Sequence, residues 1–497
     1  MSDVITLNVS SLAVLLVTLT LVYFASTIIY NLYFHPLARF PGPLAHRATR
    51  LPFVIGLFRR TLVREVAPLH DFYGSVVRIA PDELSFTDPA AWKDIYGRRT
   101  GVEEIPKCSI VYQTRGAPRY LLNETKEHHT VLRRQLAPGF NDRGMRSQEP
   151  LLTRYVELLM ERLKEHCMEE TNERVKPKPL DMTAWYNWAT FDVIGELTFG
   201  DSFHCLESAS YNSWIAAIIG TTAASPFILA MKHLGLEKLM IFLMKHVMRP
   251  RREHHARTRK KLLKRIAMND ERTDLIYGLL SKKDDLNMDI NCLHINTSFL
   301  IVAGSETTAA VLSGTTYLLL KSPAALERLT EEVRSSFSSD KEITIAAASE
   351  LTFLSACINE ALRCYPPIPM GLTRRVPHGG TLIAGNLIPE KTAVSIWPCA
   401  INTTEINWTD PLGYHPERFL NNEEFSADKL DAFRPFSVGA RDCIGRNLAN
   451  AELRLILARL VFNFDIHLAD PSVDWLNQKG YLLWQREPLN VLLTPAK

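Results

Sequence analysis

None of the eight cysteines falls in a Cys-x-x-Cys pair, which excludes the usual zinc-finger and dithiol patterns and leaves no disulfide framework; the spacing suits a reducing compartment. Excess charge is also missing. Fifty-seven Lys and Arg face 54 Asp and Glu over 497 residues, too balanced for a general nucleic-acid binder. No Gly/Ser linker, internal repeat or low-complexity block divides the chain beyond its N-terminal region, so one large domain is expected despite the length. The most localised absence is of charge between Val4 and Phe34, a stretch long enough to span a bilayer. It has no basic leader before it and no small-residue cleavage pattern after it. A retained anchor is therefore expected rather than a cleaved signal.

Arg39, Arg47, Arg50, Arg59, Arg60 and Arg64 follow the span, while Asp3 precedes it, which by charge asymmetry leaves the remainder of the chain cytosolic on a single-pass anchor. Phe40–Pro43 (FPGP) is a stiff turn. The expected division is an anchor over residues 1–35, a Pro/Gly hinge over 36–50 and a catalytic domain over 51–497. VVRIAPDELSF predicts strands broken at Pro81. Leu151–Glu170, Phe191–Phe199 and the basic stretch Met244–Arg265 predict helices, and Thr381–Ile396 returns to strands and turns. The basic stretch reads first as a solvated helix face, with membrane-surface contact as the alternative.

The run FSVGARDCIG places Cys443 between Gly439 and Gly445, ahead of an apolar helical segment from Ile444 to Phe462. A cysteine at a helix N-terminus is favoured as thiolate. Such a thiolate can ligate haem iron, glycines let backbone pass beneath a flat ring, and Arg441 can pair with a propionate. A lone buried cysteine would be the bland alternative, but Phe436, both glycines, Arg441 and Cys443 hold fixed offsets. The run resembles the haem-binding signature of the cytochrome P-450 family.

Three further motifs extend the resemblance. Glu360 and Arg363, three apart and so on one helix face before Pro366, are similar to the family's Glu-x-x-Arg pair. With Arg418 of a Pro-Glu-Arg-Phe segment, the resemblance assigns them to folding and haem retention. AGSETT, from Ala303 to Thr308, interrupts a long apolar stretch (Cys292–Leu320) with polar groups that are costly to bury. The resemblance makes Glu306 and Thr307 the proton relay to bound dioxygen and has the small Ala303-Gly304 pair leave room for it. Thr308, about 100° further round the helix, stays as the second choice. His129 and Arg133, at i,i+4 spacing, resemble the pair that contacts haem propionates, with His128 the competing residue. Arg374 stands where another propionate arginine is common, with Arg375 as its rival. In PEKTAV, Lys391 replaces a commoner glycine.

The resemblance implies a mainly α fold with a small β portion (α+β), the cytochrome P-450 fold, behind one transmembrane helix. It implies a haem b cofactor with Cys443 as the metal ligand, O2 as co-substrate, and electrons from NADPH through an NADPH-cytochrome reductase in the endoplasmic reticulum membrane. The expected reaction inserts one oxygen atom into an apolar small molecule. Phe299, Val302, Ala303, Ile368, Met370 and Leu372 are candidate pocket residues. YFHPLARFPGPLAHRATRLPF and PDELSFTDPAAWKDIYG look like fungal microsomal members that tailor secondary metabolites, terpenoid or polyketide. A haem-thiolate isomerase or dehydratase, and a non-catalytic haem-binding membrane protein, are the rival functions; demand for NADPH separates them.

Overall fold

A computed structural model describes residues 9–113, 118–171, 174–210, 224–247, 249–268, 274–283 and 288–496. Residues 4–8 of the expected span, and residue 248 within the basic stretch, lie outside these. The uncharged segment forms helix α1 (Val9–Ile29), continued by a π-helical turn at Tyr30–Phe34. Most of its described apolar side chains are exposed: Val14 is 66% and Leu21 64% exposed. An uncovered apolar cylinder of this length is consistent with a membrane anchor.

The expected hinge is docked on the body of the protein. Leu37 and Phe40 are 0% and 4% exposed within an apolar core cluster. Arg78, fully buried in strand β1 (Val76–Ala80), donates to the Asn31 carbonyl at 2.9 Å, and its own N–H donates to the Pro41 carbonyl at 2.7 Å. A Cβ on Gly42 would lie 2.3 Å from the Arg78 carbonyl oxygen, so glycine permits this close crossing.

Strand β1 pairs antiparallel with β2 (Glu83–Phe86), breaking at Pro81 as expected, and β2 pairs parallel with a late strand, Ala393–Ile396, against which Arg374–Arg375 also lies. This sheet joins the N-terminal third to the region before the Cys loop. The helices carry the rest. Helix α2 (Lys126–Phe140) precedes α3 (Asp142–His166), which starts nine residues before the expected Leu151 because the Asn141 side chain caps the Gly144 N–H at 2.8 Å. Helix α4 (Met182–Phe199) likewise begins earlier than Phe191, with Asp181 accepting from the Thr183 N–H. It is buried nearly all round, which erases the amphipathic period from which a start could be read. Among the described residues the basic stretch is helical as expected, over Glu237–Val247 and Arg249–Ala267.

At the centre runs α5 (Ile290–Leu320), which packs on α4, on α6 (Thr352–Cys364) and on α7 (Arg446–Asn463). Its length and apolarity would also suit a membrane, but two-thirds of its most apolar window is buried by the rest of the protein. The Lys391 departure has a physical trace. Its φ is +62°, the left-handed conformation that glycine adopts without penalty.

Candidate functional site

The Cys443 loop is shaped by backbone contacts. The Cys443 N–H donates to the Phe436 carbonyl at 2.9 Å. Gly439 has φ +85°, and a Cβ there would stand 2.1 Å from the Tyr96 carbonyl oxygen, so only glycine fits on both counts. Gly445 is the N-cap of α7, placing Cys443 two residues outside the cap instead of at the helix start, where the helix dipole has largely faded. Desolvation pushes the thiol up, opposed by the Gly445 N–H. A metal on the sulfur would supply the thiolate state. Cys443 is nevertheless the exposed cysteine, whereas Cys108, Cys167, Cys205, Cys357 and Cys399 are buried.

Beside the loop lies a buried basic cluster. Arg441 Nε and Arg374 Nη1 both donate to Glu104 Oε1, at 2.6 and 2.8 Å, and Arg374 also donates to the Ile105 carbonyl at 2.7 Å. Burial favours a neutral Glu104, but the Arg374 and Arg441 guanidinium groups outweigh it and hold the carboxyl below its usual range. Lys107 donates to the Leu122 carbonyl and is pushed well below its ordinary value, first by burial and then by the two arginines. His129, 5% exposed, is lowered to about 4 by burial and by the charges of Arg441, Lys107 and Arg133. Two guanidinium groups therefore share one carboxylate oxygen, and Arg441 Nη1 is buried with no partner among the described residues. A cluster short of negative charge, with an orphaned donor next to a projecting thiol, fits an anionic group ligated through a metal. Haem, with its two propionates, is such a group.

The alternatives left open by the motifs separate here. His129 faces the cluster, whereas the His128 side chain is 75% exposed and near Glu124 at 3.5 Å. Arg374 belongs to the cluster; Arg375 turns to Asp82 at 3.3 Å and to the Lys391 carbonyl. Arg133 meets the Cys loop, donating to the Asp442 carbonyl at 2.7 Å and to its carboxylate.

On α5, Phe299, Val302, Ala303 and Thr307 are only partly buried, at spacings that put them on one face. Glu306, seven residues after Phe299 and so on the same side of the helix, is 5% exposed, and Thr308, on the opposite side, is 3% exposed. Thr307 Oγ1 donates back to the Ala303 carbonyl at 2.7 Å. Thr308 instead hydrogen-bonds Glu452 of α7, whose carboxyl burial pushes up to about 8. Gly304 does not open toward the partly exposed face. A Cβ on it would come within 2.8 Å of Ile194 Cδ1, so its absence lets α4 and α5 cross closely. Tyr120, which no motif pointed to, stacks at a tilt on Phe299 with ring centroids 5.2 Å apart. Of the residues after the Pro pair, Ile368 and Leu372 are half-buried, while Met370 is 3% exposed in an apolar core cluster.

The Glu360–Arg363–Arg418 group is one buried network, every side chain 0% exposed. Arg363 Nε and Nη2 clasp Glu360 at 2.8 and 2.7 Å and reach the carbonyls of Asn402, Pro411 and Gly413. Arg418 donates to Glu360 Oε1 at 3.1 Å and to the Asp428 carboxylate. Two arginines are thus balanced by two carboxylates with satisfied donors, the condition under which buried charge is tolerated. Asp428, Glu104, Lys107 and Glu452 escaped the sequence reading because each meets its partner only across the fold. Glu452 had the nearest signal, an acid inside an apolar helix.

Compared with known proteins, residues 47–493 match the family described as Cytochrome P450. The chain is 44% identical to Cytochrome P450 monooxygenase tpeC of Talaromyces stipitatus, over 99% of this chain and 97% of the relative. It is 42% identical to Cytochrome P450 monooxygenase 1 of Neocamarosporium betae (97% and 98%) and 40% identical to averantin hydroxylase of Dothistroma septosporum (97% and 90%).

Proposed function

Because this chain belongs to the cytochrome P450 family and is a monooxygenase, we propose that it hydroxylates an apolar small molecule of fungal secondary metabolism, terpenoid or polyketide, at the cytosolic face of the endoplasmic reticulum. The observation that carries this reading is the convergence of the Cys443 loop with the buried Arg441, Arg374 and His129 cluster. Cys443 would hold haem through its sulfur and Arg441, Arg374 and His129 would meet its propionates; haem so held would supply the reductive activation of dioxygen, with electrons from NADPH through a reductase.

The chain's own residues do the rest. Phe299, Val302 and Ala303 offer an apolar wall that orients the substrate and excludes water. The Thr307 hydroxyl, now committed to the Ala303 carbonyl, holds a proton at Oγ1 that a small rotation turns toward the open face. Glu306, one residue earlier, is the carboxyl that replenishes it. Relatives named as monooxygenases, and one as a hydroxylase of averantin, support oxygen insertion over rearrangement.

The test uses microsomes carrying this protein and a reductase, supplied with NADPH, 18O2 and extract from a strain lacking the gene. One 18O atom should enter a metabolite that accumulates in that strain. Conversion without 18O or without NADPH would favour an isomerase instead.

A further inference from the structure

The apolar wall of α5 borders a polar space. Glu306 shares the side of the helix that carries Phe299, Val302 and Ala303, and Arg486 of the C-terminal segment donates through Nη2 to its Oε2 at 2.5 Å. The contact is end-on. A guanidinium and a carboxylate can close two parallel bonds, yet Arg486 Nη1 and Glu306 Oε1 are both buried with no hydrogen-bond partner among the described residues. Ser225 Oγ is a third such atom. The Arg486 and Glu306 side chains are 6% and 7% exposed, so bulk solvent does not satisfy them. All three residues line one cavity of about 190 Å³. That is smaller than the roughly 300–1,000 Å³ that takes a drug-sized ligand whole, so the space suits one end of a molecule. Tyr481, Leu482 and Trp484 line it too, and Leu482 and Trp484 pack on the same apolar cluster as Ile368.

We propose that this cavity is a head-group subsite for the substrate, and that Arg486 and Ser225 determine specificity by selecting a neutral head with two oxygens. One oxygen accepts from Arg486 Nη1 and Ser225 Oγ; the other donates to Glu306 Oε1. Buried polar atoms are rarely left unsatisfied, and these three define the group that completes them. A carboxylate head is all acceptor, so it would gain from the guanidinium and meet Glu306 as a like charge. A hydrocarbon head would leave all three atoms unpaired and dry. Water can fill the space beforehand, and a head displaces it by reproducing its bonds. Of the terpenoid and polyketide classes, the subsite suits an oxygenated polyketide head, such as a 1,3-dihydroxyaryl ring whose hydroxyls are too far apart to bond each other. The proposal rests on the reading of the α5 face as the substrate wall.

The experiment measures binding without turnover. Full-length holoenzyme in detergent is dialysed to equilibrium against the same detergent with 5-pentylresorcinol, 3-pentylphenol, pentylbenzene or 3-pentylbenzoate. The parent should bind 5-pentylresorcinol roughly ten- to hundredfold more tightly than pentylbenzene, with 3-pentylphenol between them and 3-pentylbenzoate no better than pentylbenzene. Ser225→Ala should cut the preference for the resorcinol by roughly two- to tenfold. The Arg486→Met, Glu306→Met double variant, which replaces the pair by apolar side chains, should cut it by about tenfold or more while still binding pentylbenzene. If no probe binds the parent, the reading of the α5 face as a substrate wall fails and the proposal with it. If pentylbenzene binds as tightly as the resorcinol, or the preference survives in both variants, the proposal is overturned and that reading stands. Tightest binding by 3-pentylbenzoate would overturn the neutral head.

Discussion

Thr307 and Thr308 are neighbours in sequence but not in environment. Thr307 lies on the open face of α5, while Thr308 is buried against Glu452. Thr307→Ala should therefore lower product per NADPH sharply, since positioned proton transfer is worth roughly 10²–10⁴-fold. Thr308→Ala should keep coupling and lose stability, measured as Tm, because the buried Glu452 loses its partner. Loss of coupling in Thr308→Ala alone would move the role one residue along. Glu452 also sets a pH dependence. Burial raises its carboxyl in the folded state from 4.5 to about 8, so the native protein holds a proton that the unfolded chain has released. Where the native state binds more protons, stability falls as pH rises. This contribution is therefore full below about 4.5 and is lost progressively toward 8. Glu452→Gln, neutral at all pH, should abolish that decline, read as Tm against pH for both proteins.

At the scale of elements, what was legible depended on how local the signal was. The Glu360–Arg363 pair and the strand break at Pro81 lie within single short segments and appear where the spacing puts them, whereas Cys443 falls two residues outside the cap of α7. Helix starts were misread where a cap lay outside the apolar pattern, as at Asn141 and Asp181. The choice between Arg374 and Arg375 could not be made from the chain, because Glu104 meets Arg374 from a remote loop, and that between His128 and His129 rests on burial, which leaves His129 5% exposed and the His128 side chain 75% exposed. Arg486 was invisible for the same reason, 180 residues from Glu306. The buried network behind the Cys loop yields the prediction for this scale. Arg363→Ala leaves Glu360 without its bidentate partner, and breaking a buried pair costs about 3–5 kcal/mol. The variant should lose both thermal stability and haem content on purification. A fully loaded, equally stable Arg363→Ala would refute the structural assignment.

For the whole molecule, the N-terminal apolar helix and the body meet through a segment that is part of the core. Leu37 and Phe40 are buried, and Arg78 ties Asn31 and Pro41 to β1. Deleting residues 1–29 should release a folded protein from the membrane. Deletion through residue 40 should cost roughly 3–6 kcal/mol, the burial of two large apolar side chains, and lower Tm accordingly. Equal stability of the two truncations would mean that the docked segment is only a tether. In sealed microsomes, added protease should digest the body of the full-length chain, as expected of a cytosolic domain; protection would reverse the orientation.

The proposed function rests on Cys443 as the thiolate that would ligate haem, and the carbon-monoxide difference spectrum of the reduced protein tests it most directly. The full-length protein should show the long-wavelength Soret band that marks thiolate ligation, and Cys443→Ser should lose it. Retention of that band in Cys443→Ser, or its absence from the haem-loaded parent, would contradict the assignment on which the site has been built.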